Sequence, residues 1–267
     1  LNKPSNKNQA EAPSDARSNT IAQALAEATS PAGRAQARTY IEDFGSVVAA
    51  GREVFLAYAE AAEQQDDRHT VACQAGCWFC CQIPVAVTVL EAAMVLSAVR
   101  RLESDKQQQI LLRLEHHVQK QDAALESSED GTARFRNRCP FLGDNGACSV
   151  YEDRPLACRS LLSSDAKRCE SWFVDGDAGD PTVSFTLSNN MALIGIPHLM
   201  VVFNEGNVDH HPNYDLASSV YALWHEPQRF AQWQQGQPFA QDGFPRMAVE
   251  SSIYATPDNL QQGPPQE

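Results

Sequence analysis

Cys73-Gln74-Ala75-Gly76-Cys77-Trp78-Phe79-Cys80-Cys81 places four cysteines within nine residues. Wound as a helix, which advances about 100° per residue, positions 73, 77, 80 and 81 share one face within an arc of roughly 100°. Drawn instead as a loop, the stretch has Gly76 to let the backbone fold tightly around a central atom. Either geometry brings the sulfurs together. Thiolates at C-x3-C-x2-C-C spacing favour a soft metal or an iron–sulfur cluster, because sulfur is a soft ligand.

Four more cysteines follow, Cys139, Cys148, Cys158 and Cys169, at C-x8-C-x9-C-x10-C spacing. That is too wide for one zinc knuckle and suits a loop-rich wrap that returns to a site repeatedly. Two other readings compete. Buried cysteine can act as a small hydrophobe, but not at this density. Disulfide scaffolds are short chains that cannot build a core. Here 43% of 267 residues are hydrophobic, and eight cysteines make up about 3%, against the ~8–10% of such scaffolds. Reduced, metal-bound thiols in a cytoplasmic setting are therefore expected. Adjacent Cys80 and Cys81 cannot point the same way in extended backbone. One ligates and the other packs, or the two serve different metals.

The formal net charge of −13 disfavours nucleic acid, whose phosphates call for basic surface, and equally disfavours anionic membrane surfaces. No apolar run reaches the ~18 residues of a membrane span. The polar start, Leu1 to Ser18, lacks the apolar core of a signal peptide. Beginning on leucine, the chain reads as a processed or incomplete product.

Working outward, Ile83-Pro84-Val85-Ala86-Val87 is a short extended run. Thr88-Val89-Leu90-Glu91 is a capping box that opens a helix to about Leu102. Ser104-Asp105-Lys106-Gln107 reads as a second box, with Ile110, Leu111, Leu114 and Val118 on the face of its helix; His116 and His117 read as solvated there. Asp144-Asn145-Gly146 signals a turn. Asp215 caps a helix to Trp224, and Pro227 opens a last short one. The expected fold is mainly α, with helices at about 40–65, 88–102, 104–124, 189–204 and 215–235 packed around an irregular, loop-rich cysteine core. Residues 1–36 read as a disordered or weakly helical tail, 37–235 as the helical domain with its cysteine core at 70–175, and 236–267 as a C-terminal tail. The loop 175–181, a strand at Val183–Leu187, a kink at Pro197, and His69, His210 and His211 in loops complete the reading.

The two cysteine groups together resemble the YkgJ-type cysteine-cluster family, described as a zinc- or iron-chelating domain. The residues that carry this are Cys77-Trp78-Phe79-Cys80-Cys81, the Thr88–Glu91 helix start, Cys139-Pro140-Phe141-Leu142, Cys148-Ser149-Val150-Tyr151, Arg154-Pro155, Cys158-Arg159 and Cys169. Many relatives have a two-residue gap before the second cysteine and a glycine after it. Here the gap is three residues and Trp78 follows. The resemblance implies a zinc or iron–sulfur site drawn from Cys73, Cys77, Cys80, Cys81, Cys139, Cys148, Cys158 and Cys169. Cys77 and Cys80 are expected as ligands, closed from the C-terminal group.

The leading expectation is a structural or accessory metal-binding module with a protein partner; oligomeric state is not set by the sequence. The alternative is an iron–sulfur-dependent group-transfer enzyme similar to flagellin lysine N-methylases. Cys73, Cys77 and Cys80 also match the C-x3-C-x2-C of radical S-adenosylmethionine enzymes, but no repeated strand–helix units accompany them. No phosphate-cradling or Rossmann glycine pattern is present. Arg159, and secondarily Arg154, are expected beside the thiolates, where a guanidinium offsets negative charge and donates to sulfur.

Overall fold

The computed structural model describes residues 30–32, 35, 46–53, 56, 71–74, 76–127, 137–171 and 214–245. The helix expected at 189–204, the 175–181 loop, the Val183–Leu187 strand, Pro197, and His69, His210 and His211 lie outside the described residues. So do most of both tails and most of the expected 40–65 helix, of which 47–53 is helical.

Helix α1, Val89–Arg100, is the centre of the molecule. Every residue in it except Ser97 and Arg100 is buried, as suits a helix that is apolar nearly all round. Its start is the expected capping box. The Thr88 hydroxyl accepts from Glu91 N at 3.2 Å, and Glu91 Oε2 accepts from Thr88 N at 2.8 Å. Helix α2, Ser104–Glu126, is amphipathic instead. Ile110, Leu114, His117, Val118 and Gln121 form its buried stripe, spaced at helical three- and four-residue steps.

The second capping box does not form. Glu103 occupies the cap position without a side-chain bond, and Ser104 is already helical. Gln107 turns its amide to the end of α1, donating to Leu102 O at 2.7 Å and Arg100 O at 3.2 Å. The unsatisfied carbonyls of a helix end took the donor that the box would have used.

β1, Ala86–Val87, pairs antiparallel with β2, Tyr214–Asp215, in the register Ala86↔Asp215 and Val87↔Tyr214. This short ladder brings the distant segment at 214 onto the start of α1. Four further α-helices follow, α3, Leu156–Ser160; α4, Ala166–Glu170; α5, Leu216–His225; and α6, Gln228–Gln234, with a short 3-10 helix at Tyr151–Asp153 before α3. Asp215 caps α5 as expected, its Oδ1 accepting from Ser218 N at 2.9 Å. Helix α5 packs against both α1 and α2, and the Ser218 hydroxyl donates to Gln121 Oε1 at 2.9 Å across the α2 contact. Against Leu90 and Met94 of α1 lies the helical segment 47–53. A Cβ on Gly51 would stand 3.1 Å from Met94 Sδ and 3.3 Å from Leu90 Cδ2, so glycine sets how closely this segment approaches. The described fold is mainly helical, with a loop-rich cysteine region against one end of α1.

Candidate metal centre

The 73–81 stretch is a loop of turns rather than a helix. Cys77 N donates to Gln74 O at 3.0 Å and Cys81 N to Trp78 O at 2.9 Å. Between them Gly76 sits at φ +87°, where a side chain would be strained. The loop is tied at both ends by backbone. Ala72 N donates to Ser163 O at 2.7 Å, and Cys139 N donates to Cys81 O at 2.8 Å. Each tie joins the N-terminal cysteines to the C-terminal group.

The C-terminal cysteines are placed by two small elements. Residues 139–149 form a hairpin with a bridge between Leu142 and Cys148. Its tip is the expected turn: Asn145 Oδ1 accepts from Ala147 N at 3.1 Å, and Gly146 adopts φ +76°. Cys158 lies on α3, whose start lacks a cap from its own Pro155. Glu91 supplies it from across the fold, its Oε1 accepting from Leu156 N at 2.9 Å. The capping carboxylate of α1 therefore also holds the helix that carries Cys158. The sequence pattern points to the first of these bonds and gives no sign of the second.

Six cysteines, Cys77, Cys80, Cys81, Cys139, Cys148 and Cys158, line one cavity of about 90 Å³. Val85, Phe141, Leu142 and Leu216 form part of its apolar wall. Cys73 and Cys169 are not in this lining. Both meet Ser163 instead: its N–H donates to Cys73 Sγ at 3.3 Å, and its side chain bonds the Cys169 thiol. Six of the eight expected ligands thus line the cavity, and the two beside Ser163 remain near it, Cys73 and Cys169 acting on Cys77 and Cys80 acting on Cys169. Among the described residues, no three His, Cys, Asp or Glu side chains are gathered closely enough to hold a single ion.

Five of the lining thiols, Cys77, Cys80, Cys139, Cys148 and Cys158, are poor acids in this setting. Burial pushes Cys77, Cys139, Cys148 and Cys158 up, and neighbouring thiols add to it: Cys158 and Cys148 act on Cys139, and Cys80 acts on both Cys148 and Cys158. Cys80 is pushed up first by its hydrogen bond with Cys81 and then by burial. Crowded, desolvated sulfurs resist carrying several negative charges. A bound cation reverses this balance, because a coordinating thiol gives up its proton. The donor set therefore fits a thiophilic metal group, with the six lining cysteines as the residues able to hold it.

Residues 72–173 match the family model CxxCxxCC, described as "Putative zinc- or iron-chelating domain". Over this segment the chain is similar to that family. No curated protein and no solved structure matches the chain. The matched span covers all eight cysteines, from Cys73 to Cys169. The matched segment opens with three residues between Cys73 and Cys77, and Cys73 is one of the two cysteines outside the cavity lining.

Arg154 lines the cavity; Arg159 does not. Arg159 turns back on the chain, donating from Nε to Arg154 O at 3.0 Å and from Nη2 to Glu152 O. It braces the turn and, together with Arg154, opposes the upward push on Cys148; Arg154 also opposes it on Cys80 and Cys158. Next to it, buried Asp153 is held by Arg52 Nε at 2.6 Å and Arg101 Nη2 at 2.8 Å. No local pattern around Asp153 pointed to this clamp, since its partners lie 101 and 52 residues away.

Proposed function

We propose that the domain holds an iron–sulfur cluster in the thiol-lined cavity and serves as a structural or accessory metal module. One observation carries this reading: six cysteines from two distant segments face a single cavity of about 90 Å³. The choice of a cluster over zinc rests on room. A tetrahedral zinc site closes four ligands about 2.3 Å from one ion, whereas six thiols here line a cavity of about 90 Å³, space that several irons with bridging sulfide fill better than a single ion. Up to four cysteines ligate such a cluster, so the six lining thiols exceed its need. Among the described lining residues the chemistry-bearing side chains are those thiols, Tyr151 and Arg154. That set favours metal holding over group transfer.

The test is anaerobic purification followed by iron, zinc and acid-labile sulfide analysis and an absorption spectrum. A broad band near ~400 nm with iron and sulfide in similar amounts supports a cluster. Colourless protein carrying zinc replaces it with a thiolate zinc site. Protein that takes up neither metal overturns the metal reading altogether.

A further inference from the structure

Arg154 is held against the thiol cavity by an unusual amount of structure for a half-buried arginine. Its backbone N donates to Tyr151 O at 3.4 Å, and its carbonyl accepts from Arg159 Nε at 3.0 Å. The residue before it, Asp153, is clamped by Arg52 and Arg101. The helix after it starts on the Glu91 carboxylate. Both flanks are thereby fixed to α1 or to the helical segment beside it, so the side chain leaves the backbone from a constrained position.

The side chain itself is left without the partners an arginine usually takes. Its guanidinium carbon lies 4.1 Å from the centroid of the Tyr151 ring, a stacking contact that fixes its plane. Its Nε is buried with no hydrogen-bond partner. Among the described residues no carboxylate pairs with it: Asp153 is taken by two other arginines. Leaving a buried donor unsatisfied is destabilising, so the position suits an acceptor that the described residues do not supply. Arg154 lines the cavity beside Cys77, Cys80, Cys148 and Cys158.

We infer that Arg154 is the positioning cation of the metal site, its guanidinium donating to cluster-bound sulfur and offsetting the negative charge of the ligated thiolates. This rests on the metal reading above. Losing the charge makes the site hold metal less tightly and makes addition of an electron to a cluster harder. The Tyr151 ring keeps the guanidinium plane fixed, which a lysine cannot reproduce.

The experiment compares the parent with Arg154→Gln, Arg154→Lys and the exposed control Arg168→Gln, all purified anaerobically as full chains and checked for folding by circular dichroism. Two quantities are read: the rate at which metal passes to a competing chelator at fixed pH, and, where iron is bound, the midpoint reduction potential. Arg154→Gln should release metal about 10-fold faster or more, in line with the loss of an outer hydrogen bond to a metal ligand, and should have a more negative potential. Arg154→Lys should keep most of the potential and release metal at an intermediate rate. Arg168→Gln should match the parent. If the parent binds metal and Arg154→Gln behaves like Arg168→Gln in release, the inference is overturned while the metal reading stands. A parent that binds no metal overturns both. Should Arg154→Gln fail to fold, parent-like release by Arg154→Lys refutes the role of the planar donor.

Discussion

Glu91 and Leu156, 65 residues apart, are joined by a 2.9 Å bond from the Leu156 N–H to Glu91 Oε1. The other carboxylate oxygen caps α1 through Thr88 N at 2.8 Å. One buried side chain thus starts two helices, the central one and the one that carries Cys158. A carboxylate suits this because it offers acceptors only. Glu91→Gln puts an amide NH2 against one of the two N–H donors, so one contact must be lost. The expected destabilisation is about 1–3 kcal/mol, seen as a lower melting temperature, together with reduced metal retention because Cys158 is less firmly placed. Unchanged melting and metal content would remove Glu91 from the support of the site.

Asp153 is the second such joint. Its carboxylate receives Arg52 and Arg101 on separate oxygens and sits one residue before Arg154. Both arginines are partly exposed, so solvent screening reduces what the pairs contribute. Asp153→Asn should still cost roughly 1–2 kcal/mol, since one acceptor and the charge are lost. Denaturant unfolding of parent and variant measures it. A variant as stable as the parent shows that the two arginines are satisfied by water.

These two joints mark the limit of what the sequence made legible. The Thr88–Glu91 box, the Asp215 cap and the Asp144-Asn145-Gly146 turn were readable because each is a bond between neighbours in the chain. So was the stripe Ile110, Leu114 and Val118, a matter of helical period. The 73–81 stretch allowed helix or loop, and Gly76 at φ +87° decided for the loop. The failed box at Ser104 lost to a tertiary demand, the open carbonyls at the end of α1. Of the two arginines expected beside the thiols, Arg154 lines the cavity and Arg159 acts on Cys148 from outside the lining. Arg159 follows Cys158 directly, but on a short helix the adjacent residue points elsewhere, and the turn before the helix brings Arg154 to the cavity.

The division of the cysteines is open to a direct test. Cys148 lines the cavity, whereas Cys169 meets Ser163 outside it. Cys148→Ser should lose most of the bound metal. Cys169→Ser should keep most of it and show chiefly a drop in stability, as a buried residue near the end of the domain is altered. Metal-to-protein ratios for the two variants, prepared side by side, give the answer. Equal losses would mean that Cys169 joins the same site and that the cavity extends past Cys77 toward Ser163.

His117 offers a prediction of pH dependence away from the thiols. It was expected on the solvated face of α2 but is 6% exposed. Its Nδ1 lies 3.2 Å from Arg138 O and 3.2 Å from Asn137 Nδ2. Carrying its hydrogen, that nitrogen donates to the carbonyl; bare, it accepts from the amide. Burial lowers the pKa of His117 below its ordinary 6.5, with the charge of Asp215 and the Arg138 carbonyl opposing the shift and the nearby His116 and Lys120 adding to it. Burial likewise raises Asp215, against the bonds it accepts at the start of α5. The unfolded chain therefore takes up a proton on this histidine before the folded one does. Its contribution to stability is complete above pH 6.5 and is lost as the pH falls from there through the lowered folded value. Asp215 acts in the opposite sense, since its protonation relieves the cost of its burial. His117→Asn keeps a polar group near the Nδ1 position and cannot titrate. Between pH 7 and pH 5.5 the melting temperature of the parent should fall more steeply than that of His117→Asn. Acid sensitivity arising at the thiols is common to both proteins and cancels in the comparison. Parallel curves over that range would show that His117 keeps its ordinary pKa despite its burial, through water reaching the ring between α2 and the Asn137–Arg138 segment.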